Sequence, residues 1–130
     1  MRKMHENEIG NHIVDTAVQI HQEIGPGLLE KVYEAILVNQ LRELGFKVER
    51  QVAIPINYQG IEFDEAFRAD IIIDNKVIIE LKCVENINNS HKKQLLTYLR
   101  LSEIHLGYLL NFSESLMKRG ISRTVNNLIV

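Results

Sequence analysis

Between Glu6 and Ile24 the apolar positions Ile9, Ile13, Ala17, Ile20 and Ile24 recur at intervals of three and four. That spacing predicts a helix with one apolar stripe. Gly25-Pro26-Gly27 stops it, and Pro26 is well placed to open a second helix that runs to about Leu44 and closes on Gly45. On this second helix Tyr33, Leu37, Leu41 and Leu44 form the apolar stripe, with Leu29 and Ile36 alongside. Glu30 projects inside that stripe, between Leu37 and Leu41 and one turn from the helix start.

Beyond Gly45 the signals become extended. Phe46 to Tyr58, a Gln59-Gly60 turn, and a segment from Ile61 into Phe67–Ile73 precede turn chemistry at Asp74-Asn75-Lys76 and a strand from Val77 to Val84. Asn88-Asn89-Ser90 reads as loop and cap for a helix from His91 to about Glu103. His105 to Phe112 follows as a buried strand. After Ser113 come a helical turn ending at Gly120 and an edge strand over Ile121–Val125. The order predicts one α/β (mixed α+β) domain over residues 1–130, its mixed sheet flanked by helices. Residues 6–24 are its N-terminal helix, 27–112 its core and 113–130 its tail.

Composition narrows the class. With 130 residues, 45% hydrophobic and 25% charged, the chain is globular in character. Its longest apolar run, Ala35–Val38, is far below the ~20 residues of a membrane span, so no membrane partner is expected. The start, Met1-Arg2-Lys3-Met4-His5-Glu6, has no apolar stretch behind it, which argues against a signal peptide and for a cytoplasmic location. Cys83 alone cannot build a disulfide framework and is read as a small core residue. The histidines His5, His12, His21, His91 and His105 match no zinc spacing.

The net charge of −2 speaks against a generally basic nucleic-acid surface, but it hides an asymmetry. Residues 1–90 hold 9 Lys/Arg against 15 Asp/Glu (−6), and residues 91–130 hold 6 against 2 (+4). Solvated helix faces produce such swings. So does an acidic centre beside a basic flank, which suits a metal-dependent enzyme acting on a polyanion.

The Phe67–Val84 hairpin carries the sharpest signal. Phe67, Ala69, Ile71 and Ile73 alternate with Arg68, Asp70 and Ile72, while Val77, Ile79, Leu81 and Cys83 alternate with Ile78, Glu80 and Lys82. Matching the apolar faces through a three-residue turn sets Asp70 opposite Glu80 and Arg68 opposite Lys82. Two carboxylates side by side, roughly 5 Å apart, repel by on the order of 3 kcal/mol at an effective dielectric of about 20. A divalent cation or a shared proton relieves that. The alternative is an exposed face on which Asp70, Glu80, Lys82 and Arg68 pair as salt bridges. Glu30 is a third acid, read either as a partner of the helix dipole or as an added carboxylate at a metal site. On the third helix Gln94 and Tyr98 share a face with His91 one turn earlier, and Lys92 and Lys93 lie beside them for phosphate or for solvent.

Gly27-Leu28-Leu29-Glu30-Lys31-Val32-Tyr33, with Phe67-Arg68-Ala69-Asp70, Glu80-Leu81-Lys82 and Asn111-Phe112 downstream, resembles the GxxExxY proteins, a branch of the PD-(D/E)XK nuclease superfamily. Ala69 stands where the superfamily name has proline. The resemblance implies a core of helix, three-stranded antiparallel meander, helix and strand. It implies Mg²⁺, or Mn²⁺ in its place, held by Asp70, Glu80 and the Leu81 backbone carbonyl, with Glu30 contributing directly or through water. Lys82 corresponds to the lysine that orients the attacking water, and Gln94 and Tyr98 to an accessory Gln-x3-Tyr element. His21 and His91 fall where relatives carry histidines near the site, able to contact phosphate or to hydrogen-bond within the fold. The implied activity is hydrolysis of phosphodiesters, with DNA as the expected partner and a homodimer as the expected assembly. Two alternatives keep the fold: a silent nucleic-acid-binding or subunit module, and a purely structural protein.

Overall fold

The computed structural model describes residues 3–129. Met1 and Arg2, the first residues of the charged start read above, and Val130, the end of the tail, lie outside the described residues.

Helix α1 (Glu6–Ile24) opens on His5, whose ring Nδ1 accepts the Asn7 N–H while Glu8 accepts the His5 N–H. It buries Ile9, Ile13, Ala17 and Ile20 as the spacing predicts. Helix α2 (Glu30–Glu43) starts later than Pro26. The intervening turn is held off helical geometry by Gly25 (φ +80°) and Gly27 (φ +112°). The Tyr33 hydroxyl locks it, donating to the Gly25 carbonyl at 2.6 Å and accepting the Leu28 N–H at 3.1 Å. Glu30 is therefore the first helical residue rather than a member of the second turn. Leu44, expected in the stripe, and Leu29, expected alongside it, flank the helix as its caps and are 55% and 65% exposed. Val38 is buried beside Tyr33, Leu37 and Leu41 instead.

Strands β1 (Val48–Tyr58), β2 (Ile61–Ile73) and β3 (Val77–Lys82) form an antiparallel meander. Gln59 and Gly60, both at positive φ, make the tight turn of its first hairpin. Helix α3 (Asn89–Ser102) crosses over to β4 (Leu106–Asn111), which lies parallel to β3. A 3₁₀ turn (Met117–Gly120) then leads into β5 (Ile121–Val125), the antiparallel edge strand. Strand β3 stops two residues short of the predicted Val84, and α3 starts two residues before His91 because Asn88 is its cap.

The sheet has a core on each face. Residues of α1 and α2 pack on Ile71, Ile73, Val77, Ile79, Leu81, Leu106 and Leu110. Leu95 and Leu99 of α3 pack on Phe67, Ala69, Ile72, Ile78 and Leu109. No helix among the described residues is long and apolar enough to cross a membrane.

Candidate active site

The β2–β3 hairpin has the register that the apolar faces demand: Ile73 pairs with Val77, Ile72 with Ile78 and Ile71 with Ile79. One residue further the ladder ends. The Asp70 N–H donates to Glu80 Oε2 at 2.7 Å, and the Leu81 N–H donates to Asp70 Oδ2 at 2.9 Å. Each carboxylate thus takes a backbone donor from the opposite strand, and the strands part around the two acids. Arg68 does not reach Lys82; it pairs with Glu65 at 2.7 Å on the exposed arm of the hairpin.

The expectation that Phe67, Ala69, Ile71 and Ile73 share a face fails at this point. Phe67 and Ala69 pack under α3, whereas Ile71 and Ile73 pack under α1 and α2. The partner strand makes the same exchange, with Val48 on the α1–α2 side and Val52 and Ile54 on the α3 side. The swivel is at Gln51, whose φ of +49° departs from strand geometry, between the pairs Arg50–Ile71 and Val52–Ala69.

Electrostatics mark the same spot. Glu80 is 6% exposed, and burial first, then the Asp70 charge, push its carboxyl up to about 8. Asp70 is raised by burial and by Glu34, against the Leu81 and Gln51 hydrogen bonds and Lys82. Glu30 is an exposed residue, yet burial of its carboxyl and the Asp70 charge raise it too, against Lys82. Lys82 lowers all three acids. Among the described residues it forms no ion pair of its own. Asp70, Glu80, Glu30 and Lys82 are therefore within each other's fields, and negative charge is in excess.

Other predicted residues divide. Tyr98 is half-buried, stacked on Phe67 with ring centroids 3.8 Å apart, and its hydroxyl is raised by burial and then by Glu80 and Asp70. Gln94, Lys92 and Lys93 are exposed on α3. His91 completes the α3 cap, its Nδ1 accepting the Asn88 N–H at 3.2 Å. His21 is buried, with Nε2 2.8 Å from the Glu114 carbonyl. The Leu81 N–H reaches Asp70, and its side chain lies in the α1–α2 core. Cys83 is half-buried against that same core.

Two residues escaped the sequence reading. Glu34, one turn after Glu30, is 7% exposed and accepts from Arg50 at 2.8 Å and from Gln51 at 2.8 Å. Gln51 also reaches Asp70 Oδ1 at 3.4 Å. The available signal was the Glu30–Glu34 spacing of four, which puts both acids on one helical face.

Among the described residues no group of three or more His, Cys, Asp or Glu side chains is placed to hold a metal ion. Mg²⁺ does not need one: one or two carboxylates suffice, with water and substrate phosphate completing the shell. Asp70 and Glu80 offer hard oxygen donors whose shared charge is poorly compensated, which fits such an ion.

The sequence matches the family model of the PD-(D/E)XK nuclease superfamily over residues 7–124. Among solved structures, the crystal structure of SSO0001 aligns at 22% identity and a TM-score of 0.44 over 92% of this chain. The aligned region is 66% of that chain, just under two thirds of its length. No curated protein matches.

Proposed function

The chain belongs to the PD-(D/E)XK nuclease superfamily, and on that premise we propose that it is a Mg²⁺-dependent nuclease that hydrolyses phosphodiester bonds in DNA. The observation that carries this reading is the pair Asp70 and Glu80, clasped across the parting strands with Lys82 as their common counter-charge. An exposed salt-bridged face is disfavoured, because Glu80 is buried and Arg68 pairs elsewhere.

Asp70 and Glu80 would hold the divalent cation, Mg²⁺ or Mn²⁺, with Glu30 at the margin from the start of α2. When bound, such an ion supplies charge neutralisation at a phosphate oxygen and acidifies water. Lys82 orients the attacking water in line with the phosphorus and adds positive charge as the transition state gathers negative charge. Tyr98, held flat against Phe67, closes the α3 side of the site. Gln94, Lys92 and Lys93 are on the exposed part of α3, where backbone phosphates can approach.

The test is cleavage of duplex, single-stranded and branched DNA with Mg²⁺ or Mn²⁺. Metal-dependent products that disappear in Asp70→Ala and in Lys82→Ala are expected. Absence of products from every substrate, or products that survive both substitutions, would overturn the reading. The competing reading is a silent binding module of the same fold. Calorimetry separates it: DNA or Mg²⁺ binding without any cleavage is its signature.

A further inference from the structure

The swivel at Gln51 has a strained backbone and a specific outcome. A φ of +49° is uncommon for glutamine, and a strand interior normally avoids it. Pairing keeps one register on both sides, Arg50 with Ile71 and Val52 with Ala69, so no inserted residue forces the distortion. Its consequence is side-chain placement. Gln51 Nε2 donates to Glu34 Oε1 at 2.8 Å and, at a longer 3.4 Å, to Asp70 Oδ1. Glu34 is itself anchored: its Oε2 accepts from Arg50 Nη2 at 2.8 Å and Nε at 3.3 Å. Arg50, Glu34, Gln51 and Asp70 form one hydrogen-bonded chain from α2 across β1 to the site. Asp70 Oδ2 meanwhile takes the Leu81 N–H at 2.9 Å, so the carboxylate is held from two neighbouring strands.

We propose that Gln51 is a positioning residue: its amide, braced by Glu34 and Arg50, fixes the plane of the Asp70 carboxylate before any ion or substrate arrives. The effect on metal affinity rests on the reading of Asp70 as a cation ligand; the positioning itself does not.

Gln51→Gly is the informative variant. Glycine adopts φ +49° without strain, so the swivel is kept and only the amide is lost. Hydrogen exchange on the metal-free protein reads the Leu81 amide, which depends on Asp70 staying in place. Exchange at Leu81 is expected to quicken about ten-fold while Leu109 in β4 is unchanged. In calorimetry Mn²⁺ binding to the same variant is expected to weaken by about ten-fold, and Gln51→Asn to recover part of that loss. Unchanged Leu81 protection would overturn the positioning role, and so would a rise shared equally by Leu109. Faster exchange confined to Leu81, in a protein that binds no Mn²⁺ even unmodified, would uphold the positioning role and remove the cation reading of the site.

Discussion

Glu80 is the most heavily perturbed acid of the site, and its protonation links site and stability. Its folded value of about 8 lies well above the 4.5 of an ordinary glutamate, chiefly because it is buried. The folded chain therefore holds this proton more tightly than the unfolded chain. Stability from this group is complete below about pH 4.5 and is lost as pH rises through 8, by on the order of a few kcal/mol. Thermal melts of metal-free protein should show a Tm that falls between pH 5 and pH 8. Glu80→Gln keeps an acceptor for the Asp70 N–H and should flatten that profile. A Tm that rises over the same range, or an identical slope in the variant, would remove Glu80 as its source. The juxtaposition of Asp70 and Glu80 was legible because the register of the apolar pairs, ending at Ile71 with Ile79, points to these two as the next neighbours. Glu34 and Gln51 were not, because neither a buried acid paired with Arg50 nor a left-handed residue inside a strand breaks the hydrophobic pattern.

At the scale of elements, every predicted helix and strand is present, and the departures occur at ends and at one swivel. Helix α2 starts at Glu30 because a tertiary contact, the Tyr33 hydroxyl on Gly25 and Leu28, overrides the local preference of Pro26. The face exchange at Asp70 arises where side chains replace ladder bonds, which spacing alone does not reveal. Asn111 plays a similar part at the end of β4. Fully buried, it pairs with Lys82 in the ladder and binds both the N–H and the carbonyl of Val84, at 3.1 and 2.8 Å. It so keeps the chain beyond Lys82 tied to the sheet after the strand has ended. Asn111→Leu leaves those groups and the Ser113 N–H without their partner, at a cost of roughly 2–4 kcal/mol in chemical denaturation. Under the proposed function, cleavage should fall further than the folded fraction, because the chain just beyond Lys82 is no longer tied to the sheet at Val84. A loss below about 1 kcal/mol would mean that water replaces the amide.

For the whole molecule, Lys92 and Lys93 of the +4 stretch 91–130 are exposed on α3, the helix whose Tyr98 lies in the field of Glu80 and Asp70. Under the proposed function, the overall charge of −2 predicts a weak hold on DNA that loosens further with added salt. An ion that binds only the folded chain also stabilises it. At a hundred times its Kd, Mn²⁺ should contribute about 2.7 kcal/mol, raising Tm by roughly 8–12 °C at pH 8 in the unmodified protein. Asp70→Ala should lose that rise, and a rise retained in this variant would place the ion elsewhere. The superfamily was legible from the order of Glu30, Asp70, Glu80 and Lys82 along the chain, and the match over residues 7–124 agrees with it. Substrate form was not legible, because shape and end preference reside in surfaces that no short motif encodes.

The central claim is that Asp70 and Glu80 form a divalent-cation site beside Lys82. A Mn²⁺-soaked crystal measured at the manganese absorption edge addresses it directly. The expected result is an anomalous peak between the two carboxylates, about 2.0–2.2 Å from an oxygen of each. No peak there, with Asp70 still bound to the Leu81 N–H and Glu80 to the Asp70 N–H, would contradict it.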